Sequence, residues 1–162
     1  MTANDYFEDG NRLFRDDLYW AALLRYRQAQ EAGLDTPLLD YNIGVSQYRA
    51  QQNIRARESL IKALDSPTLR VGAQYSLGLN AYALGDMDEA LRWFRLSRDQ
   101  NLNPKLAEYS RIAISRIRSE MIQDNPAVIR IEEERLQREF AHLDFRARVS
   151  VEIGRASCRE RV

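Results

Sequence analysis

The chain is poor in the residues that most enzymes and disulfide scaffolds depend on. Its 162 residues include one cysteine, one histidine and four prolines, and 24 acidic side chains offset its 24 basic ones. Cys158, standing alone, cannot close an internal disulfide, so no covalent framework is available. His142 has no cysteine or second histidine at ligand spacing, which excludes the usual structural and catalytic zinc patterns. No glycine-rich phosphate loop occurs, and no serine sits in a nucleophile elbow. A formal charge of zero leaves no global field to gather nucleic acid or an anionic membrane. Arginine outnumbers lysine, but the arginines are interspersed with acids and build no phosphate-binding cluster. Neither a signal peptide nor a transmembrane run is visible, which points to the cytoplasm as written, or to the periplasm if the true start lies upstream. These absences predict a protein without catalytic residues, metal or cofactor.

Against them stands a repeat. Gly10, Gly44 and Gly78 lie 34 residues apart. Twelve residues beyond each comes an alanine (Ala22, Ala56, Ala90), then a large side chain (Tyr26, Leu60, Phe94), then a small one (Ala29, Ala63, Ser97). Each unit reads as two amphipathic helices. A glycine inside a helix costs about 0.5–1 kcal/mol relative to alanine. Three at one register therefore argue for a close helix crossing, with the large residue filling the adjacent space. In the third unit, Gly85-Asp86 ends the first helix, and Asp86 with Glu89 forms a capping-box pattern for the second. Thr36-Pro37, Ser66-Pro67, Asn103-Pro104 and Asn125-Pro126 each place a capping side chain before a proline at a helix start.

These residues resemble the tetratricopeptide repeat, a helix–turn–helix unit of about 34 residues. The third unit, Tyr75 to Asp99, is close to that family's consensus. The first keeps Gly10, Leu13, Ala22, Tyr26 and Ala29 but departs at Asp9 and Asp17. The second keeps Ile43, Gly44, Ala56, Leu60 and Ala63 but carries Gln47 and Gln51 at usually aromatic or glycine sites. The resemblance implies an all-α solenoid over residues 4–121, with repeats at about 4–36, 37–66 and 67–103 and a capping helix at 104–121. A charged helix is expected at 126–142. Its run Glu132-Glu133-Glu134, with Arg130, Arg135 and Arg138, reads as a solvated face.

On the first helix of each pair, Phe7, Tyr41, Tyr75 and Tyr109 form one column, and Phe14, Tyr48 and Tyr82 a second, completed by Arg116. Asn11, Val45, Leu79 and Ala113 lie midway, and Arg15 and Arg49 flank the second column. The resemblance implies that these columns line a concave groove. The sequence suits that groove to a protein or peptide partner with apolar anchors and acidic neighbours. Self-coverage by the helix 126–142 is the alternative. The family's best-known site grips a C-terminal carboxylate through lysine and asparagine. Here Phe7 and Tyr41 occupy the lysine sites and only Asn11 matches, which argues against a chaperone-tail clamp.

Two features concern the C-terminal part. Leu143, Phe145, Ala147, Val149 and Val151 alternate with polar residues, predicting a β-strand over 143–152. Such a strand has the length to cross a membrane within a barrel. The arrangement is similar to Gram-negative proteins, such as surface lipoprotein assembly modifiers, that set periplasmic repeats before an outer-membrane barrel. The last ten residues, Ile153 to Val162, resemble the translation of a sequencing adapter and are expected to be foreign to a truncated reading frame. Without their three arginines and one glutamate, 21 bases stand against 23 acids, and the cysteine is gone.

Overall fold

The computed structural model describes residues 1–100 and 102–124, with Ala127, Arg130, Ile131 and Glu134 beyond them. Among the described residues seven helices follow in order: α1 (Ala3–Arg15), α2 (Tyr19–Glu31), α3 (Pro37–Arg49), α4 (Asn53–Ala63), α5 (Arg70–Ala83), α6 (Met87–Asp99) and α7 (Pro104–Asp124). There is no strand among the described residues. The chain divides into two compact units, Met1–Ile117 and Arg118–Val162.

Within the first unit, α1 packs on α2, α3 on α4 and α5 on α6, so three antiparallel hairpins succeed one another. The second helix of each hairpin meets the first helix of the next, and α1, α3 and α5 also touch in turn. This is the neighbour-by-neighbour packing of a helical repeat.

The hairpin interior follows from the sizes of its residues. Ala22, Ala56 and Ala90 are fully buried, as are Ala29, Ala63 and Ser97. Tyr26, Leu60 and Phe94 are no more than 1% exposed, each burying surface worth about 1.5–3 kcal/mol. Each rests directly on a glycine of the facing helix. A Cβ on Gly10 would stand 2.5 Å from Tyr26 Cε1, one on Gly44 2.7 Å from Leu60 Cγ, and one on Gly78 2.7 Å from Phe94 Cδ1. Ser97 keeps its hydroxyl satisfied by donating to the Val71 carbonyl at 3.2 Å.

The turns inside the hairpins repeat as closely as the core. Leu18, Gln52 and Asp86 donate their N–H groups to the carbonyls of Leu13, Gln47 and Ala81 at 2.9, 2.8 and 3.0 Å. Asp17, Gln51 and Gly85 donate to Phe14, Tyr48 and Tyr82 at 3.1, 3.0 and 3.0 Å. Together these are the paired bonds of a Schellman cap, which needs a left-handed residue after the helix. Asp17, Gln51 and Gly85 supply it, with φ of 60°, 59° and 80°.

The helix starts divide. Thr36 Oγ1 accepts from Leu39 N at 3.2 Å, and Asn103 Oδ1 accepts from Lys105 N and Leu106 N at 3.1 Å. Asn125-Pro126 lies outside the described residues. At Ser66-Pro67 the expectation fails: α5 begins at Arg70 after a turn, with no side-chain cap. There α4 ends in tight bonds from Leu64, Asp65 and Ser66 to residues three back, which displaces the next start. The Ser66 hydroxyl pairs with Thr68 Oγ1 instead, and Arg70 Nε donates to the freed Leu64 carbonyl at 2.9 Å.

The capping box is also displaced. Asp86 Oδ1 accepts from Glu89 N at 2.9 Å, but Glu89 does not reach back. Its carboxylate accepts from Arg57 of the preceding hairpin at 2.8 Å and from Trp93 Nε1 at 3.3 Å. A full capping box occurs instead at Thr2 and Asp5, where the Thr2 N–H and hydroxyl hold the Asp5 carboxyl below its usual range.

Two of the departures from the apolar pattern, Asp9 and Gln47, find partners. Asp9 meets Arg12 and lies 2.7 Å from Arg25 Nε of α2; the Arg12 hydrogen bond chiefly holds its carboxyl below the usual range. Gln47 Oε1 accepts from the Ser59 hydroxyl at 2.8 Å.

Candidate functional site

Helices α1, α3, α5 and α7 carry the two aromatic columns, in which Phe7, Phe14 and Tyr75 also meet rings of their hairpin partners. Phe7, Phe14, Tyr41, Tyr48, Tyr75 and Tyr82 are half-buried, and Tyr109 is 42% exposed. Rings held this way have one face packed and one face wet, which suits them to contact an added surface. The residues expected to form one groove divide among three hollows.

The first hollow, about 330 Å³, lies between α1 and α3. Phe7, Asn11, Phe14 and Arg15 come from α1, and Leu38, Tyr41, Asn42 and Val45 from α3. Tyr26 closes its floor and stacks at a tilt on Phe7, with ring centroids 5.9 Å apart. Asn11 Oδ1 accepts twice, from the Tyr26 hydroxyl at 3.0 Å and from Asn42 Nδ2 at 2.8 Å. Burial pushes the Tyr26 phenol up to about 12, so this network stays neutral across the physiological range.

The second hollow, about 220 Å³, lies between α5 and α7. Tyr75, Leu79 and Tyr82 line one side; Tyr109, Ile112, Ala113, Arg116 and Ile117 line the other, over Phe94. Tyr75 is set between Phe94 and Tyr109, at 5.6 and 6.3 Å between centroids. Burial raises its phenol above the ordinary value. Two cations stand on these rings: the Arg116 guanidinium 6.0 Å from the Tyr82 centroid, and Lys105 Nζ 6.0 Å from that of Tyr109.

A third hollow is polar and gathers Tyr48, Arg49, Gln51, Asn53 and Ala83. Arg49 was expected at the basic edge of the groove, and its guanidinium is engaged. It lies 4.8 Å from the Tyr19 ring centroid, hydrogen-bonds the Tyr19 hydroxyl and sits 3.5 Å from Asp17. Asp17 at the first turn draws it there.

Leu38, Asn42, Asn53, Ala83, Ile112 and Ile117 were missed in the sequence. Asn42 stands in a polar column with Glu8, Ser76 and Ser110 at the same interval, a signal beside the aromatic one. Ile112 occupies the register of Gly10, Gly44 and Gly78 in a fourth unit, and it is 57% exposed.

Among the described residues, no group of three or more histidine, cysteine, aspartate or glutamate side chains could hold a metal ion. No described helix is long and apolar enough to cross a membrane. His142, Cys158, most of the helix expected at 126–142 and the alternating segment 143–152 lie outside the described residues; Ala127, Arg130, Ile131 and Glu134 are helical and exposed. No known family model matches the chain, and no curated protein matches it.

Proposed function

We propose that residues 4–121 form a tetratricopeptide-type solenoid whose task is to hold a protein or peptide segment, without catalysis. The observation that carries this reading is the row of partly exposed rings along α1, α3, α5 and α7, opening into hollows of about 330 and 220 Å³. Aromatic anchors of this kind dominate protein interfaces because they bury much area at little entropic cost. Repeat stacks supply such surfaces because each hairpin adds one more helix to the same wall.

A random dodecapeptide display library selected on the immobilised full chain tests the proposal. Binders should be enriched. The Tyr48→Ala/Tyr82→Ala double variant should lose about tenfold in affinity for them, roughly 1.4 kcal/mol, with its far-ultraviolet dichroism unchanged. Absence of any enriched binder, or undiminished affinity in the variant, would count against a scaffold role.

The alternation over 143–152 favours a second reading, in which the repeats are the periplasmic part of an outer-membrane barrel protein. Further alternating segments of about ten residues in the intact reading frame would support it; a stop codon soon after Glu152 would remove it.

A further inference from the structure

We infer that the hollow between α1 and α3 takes a glutamine side chain of the bound segment, with its carboxamide on Asn11 and Asn42. This rests on the scaffold reading and adds which side chain the first hollow selects. Asn11 Oδ1 accepts from the Tyr26 hydroxyl at 3.0 Å and from Asn42 Nδ2 at 2.8 Å. Two donors on one oxygen fix which way the Asn11 amide is turned, since its nitrogen could accept from neither. Tyr26 is 1% exposed and burial pushes its phenol up to about 12. Its proton therefore stays on Asn11 across the physiological range, and the amide keeps its orientation.

Two complementary atoms are left over. Among the described residues no hydrogen bond engages Asn11 Nδ2 or Asn42 Oδ1, and both residues line the hollow. Asn11 offers N–H groups and Asn42 a carbonyl oxygen, so the group that satisfies both must accept and donate. A carboxamide does so. A carboxylate has acceptors alone and would set an oxygen against Asn42 Oδ1. An ammonium or guanidinium has donors alone and would face the Asn11 N–H groups. A hydrocarbon would cover both atoms and leave them unsatisfied.

The stem of the side chain matters as well as its tip. Phe7, Phe14 and Tyr41 present ring surface above the floor that Tyr26 closes. Glutamine lays two methylenes on those rings, where asparagine has one. Of the residues lining this hollow only Arg15, which is exposed, carries a charge. It is the group that would favour glutamate instead, so the comparison of glutamine with glutamate is decisive.

The dodecapeptides selected on the full chain are the probe, and they should share a glutamine. Changing that glutamine to glutamate or to norleucine, in the peptide alone, should raise Kd about tenfold on the wild-type chain, and changing it to asparagine should raise Kd less. Asn11→Asp keeps an oxygen for Tyr26 and Asn42 but removes both amide donors. With its thermal unfolding checked against wild type, this variant should weaken the glutamine peptides about tenfold and narrow their advantage over the norleucine forms. Enriched peptides without a carboxamide, glutamate bound as tightly as glutamine, or an undiminished preference for glutamine in Asn11→Asp would overturn this inference and leave the scaffold reading standing. No enrichment at all would remove the scaffold reading, and this inference with it.

Discussion

Gln51 adopts the left-handed backbone of Gly85, with φ of 59° against 80°, at the same step of successive hairpins. The two Schellman bonds around each turn dictate that conformation whatever the side chain. An L-residue there carries a steric cost of about 1–2 kcal/mol that glycine avoids, offset in part by the entropy of the glycine chain when unfolded. Gln51→Gly should therefore raise stability by up to about 1 kcal/mol, read as a higher urea midpoint. Asp17→Gly should gain less, because the Asp17 carboxylate also receives Tyr19 and Arg49. A lower midpoint for Gln51→Gly would contradict the account of the turn.

Alanine should act in the opposite sense at the three core glycines. In an ordinary helix interior, Gly→Ala gains up to about 1 kcal/mol. Here the added methyl meets a packed side chain in every case, and overpacking of this kind costs about 1–3 kcal/mol. Gly44→Ala should be the worst of the three, since its methyl would also stand 3.1 Å from the Leu60 backbone nitrogen, which has less freedom to move. Adding Phe94→Leu to Gly78→Ala should recover part of the loss, so the double variant is more stable than the two single effects summed. Equal or greater stability in all three alanine variants would show that the large side chains do not rest on the glycines.

Alkaline titration isolates the network around Asn11. The Tyr26 phenol is pushed up to about 12 by burial, whereas an unfolded tyrosine ionises near 10. Below pH of about 10 both states keep the proton, and the stabilisation is fully present. Between about 10 and 12 the unfolded chain releases it while the folded chain retains it, so stability falls as pH rises. Tyr26→Phe should be less stable at neutral pH by about 1 kcal/mol, through loss of the bond to Asn11. Its melting temperature should then decline less steeply above pH 10 than that of the wild type. Parallel slopes would mean that the phenol is not the group responsible.

Much of the helical repeat was legible because it rests on volume, which a sequence records directly. A glycine faces a large side chain, and an alanine and a small residue follow at fixed intervals. The hairpin turns were legible only at Gly85. Asp17 and Gln51 adopt the same backbone because main-chain bonds, not side-chain type, set it. Glu89 could not be placed from its own segment, since Arg57 of the preceding hairpin claims its carboxylate. The aromatic face followed from seven-residue spacing on one helix side. Its division into hollows did not, because that depends on Ile112 in a glycine register and on Asn42 joining Asn11 across two helices.

The most direct measurement of the central claim is amide chemical-shift mapping of the isotope-labelled full chain with an enriched peptide. The account predicts that the largest changes fall on α1, α3, α5 and α7 around Phe7, Tyr41, Tyr75 and Tyr109, with Trp20 and Ile54 on the second helices unmoved. Changes centred on Trp20, Leu24 and Ile54, or spread evenly over the chain, would contradict it.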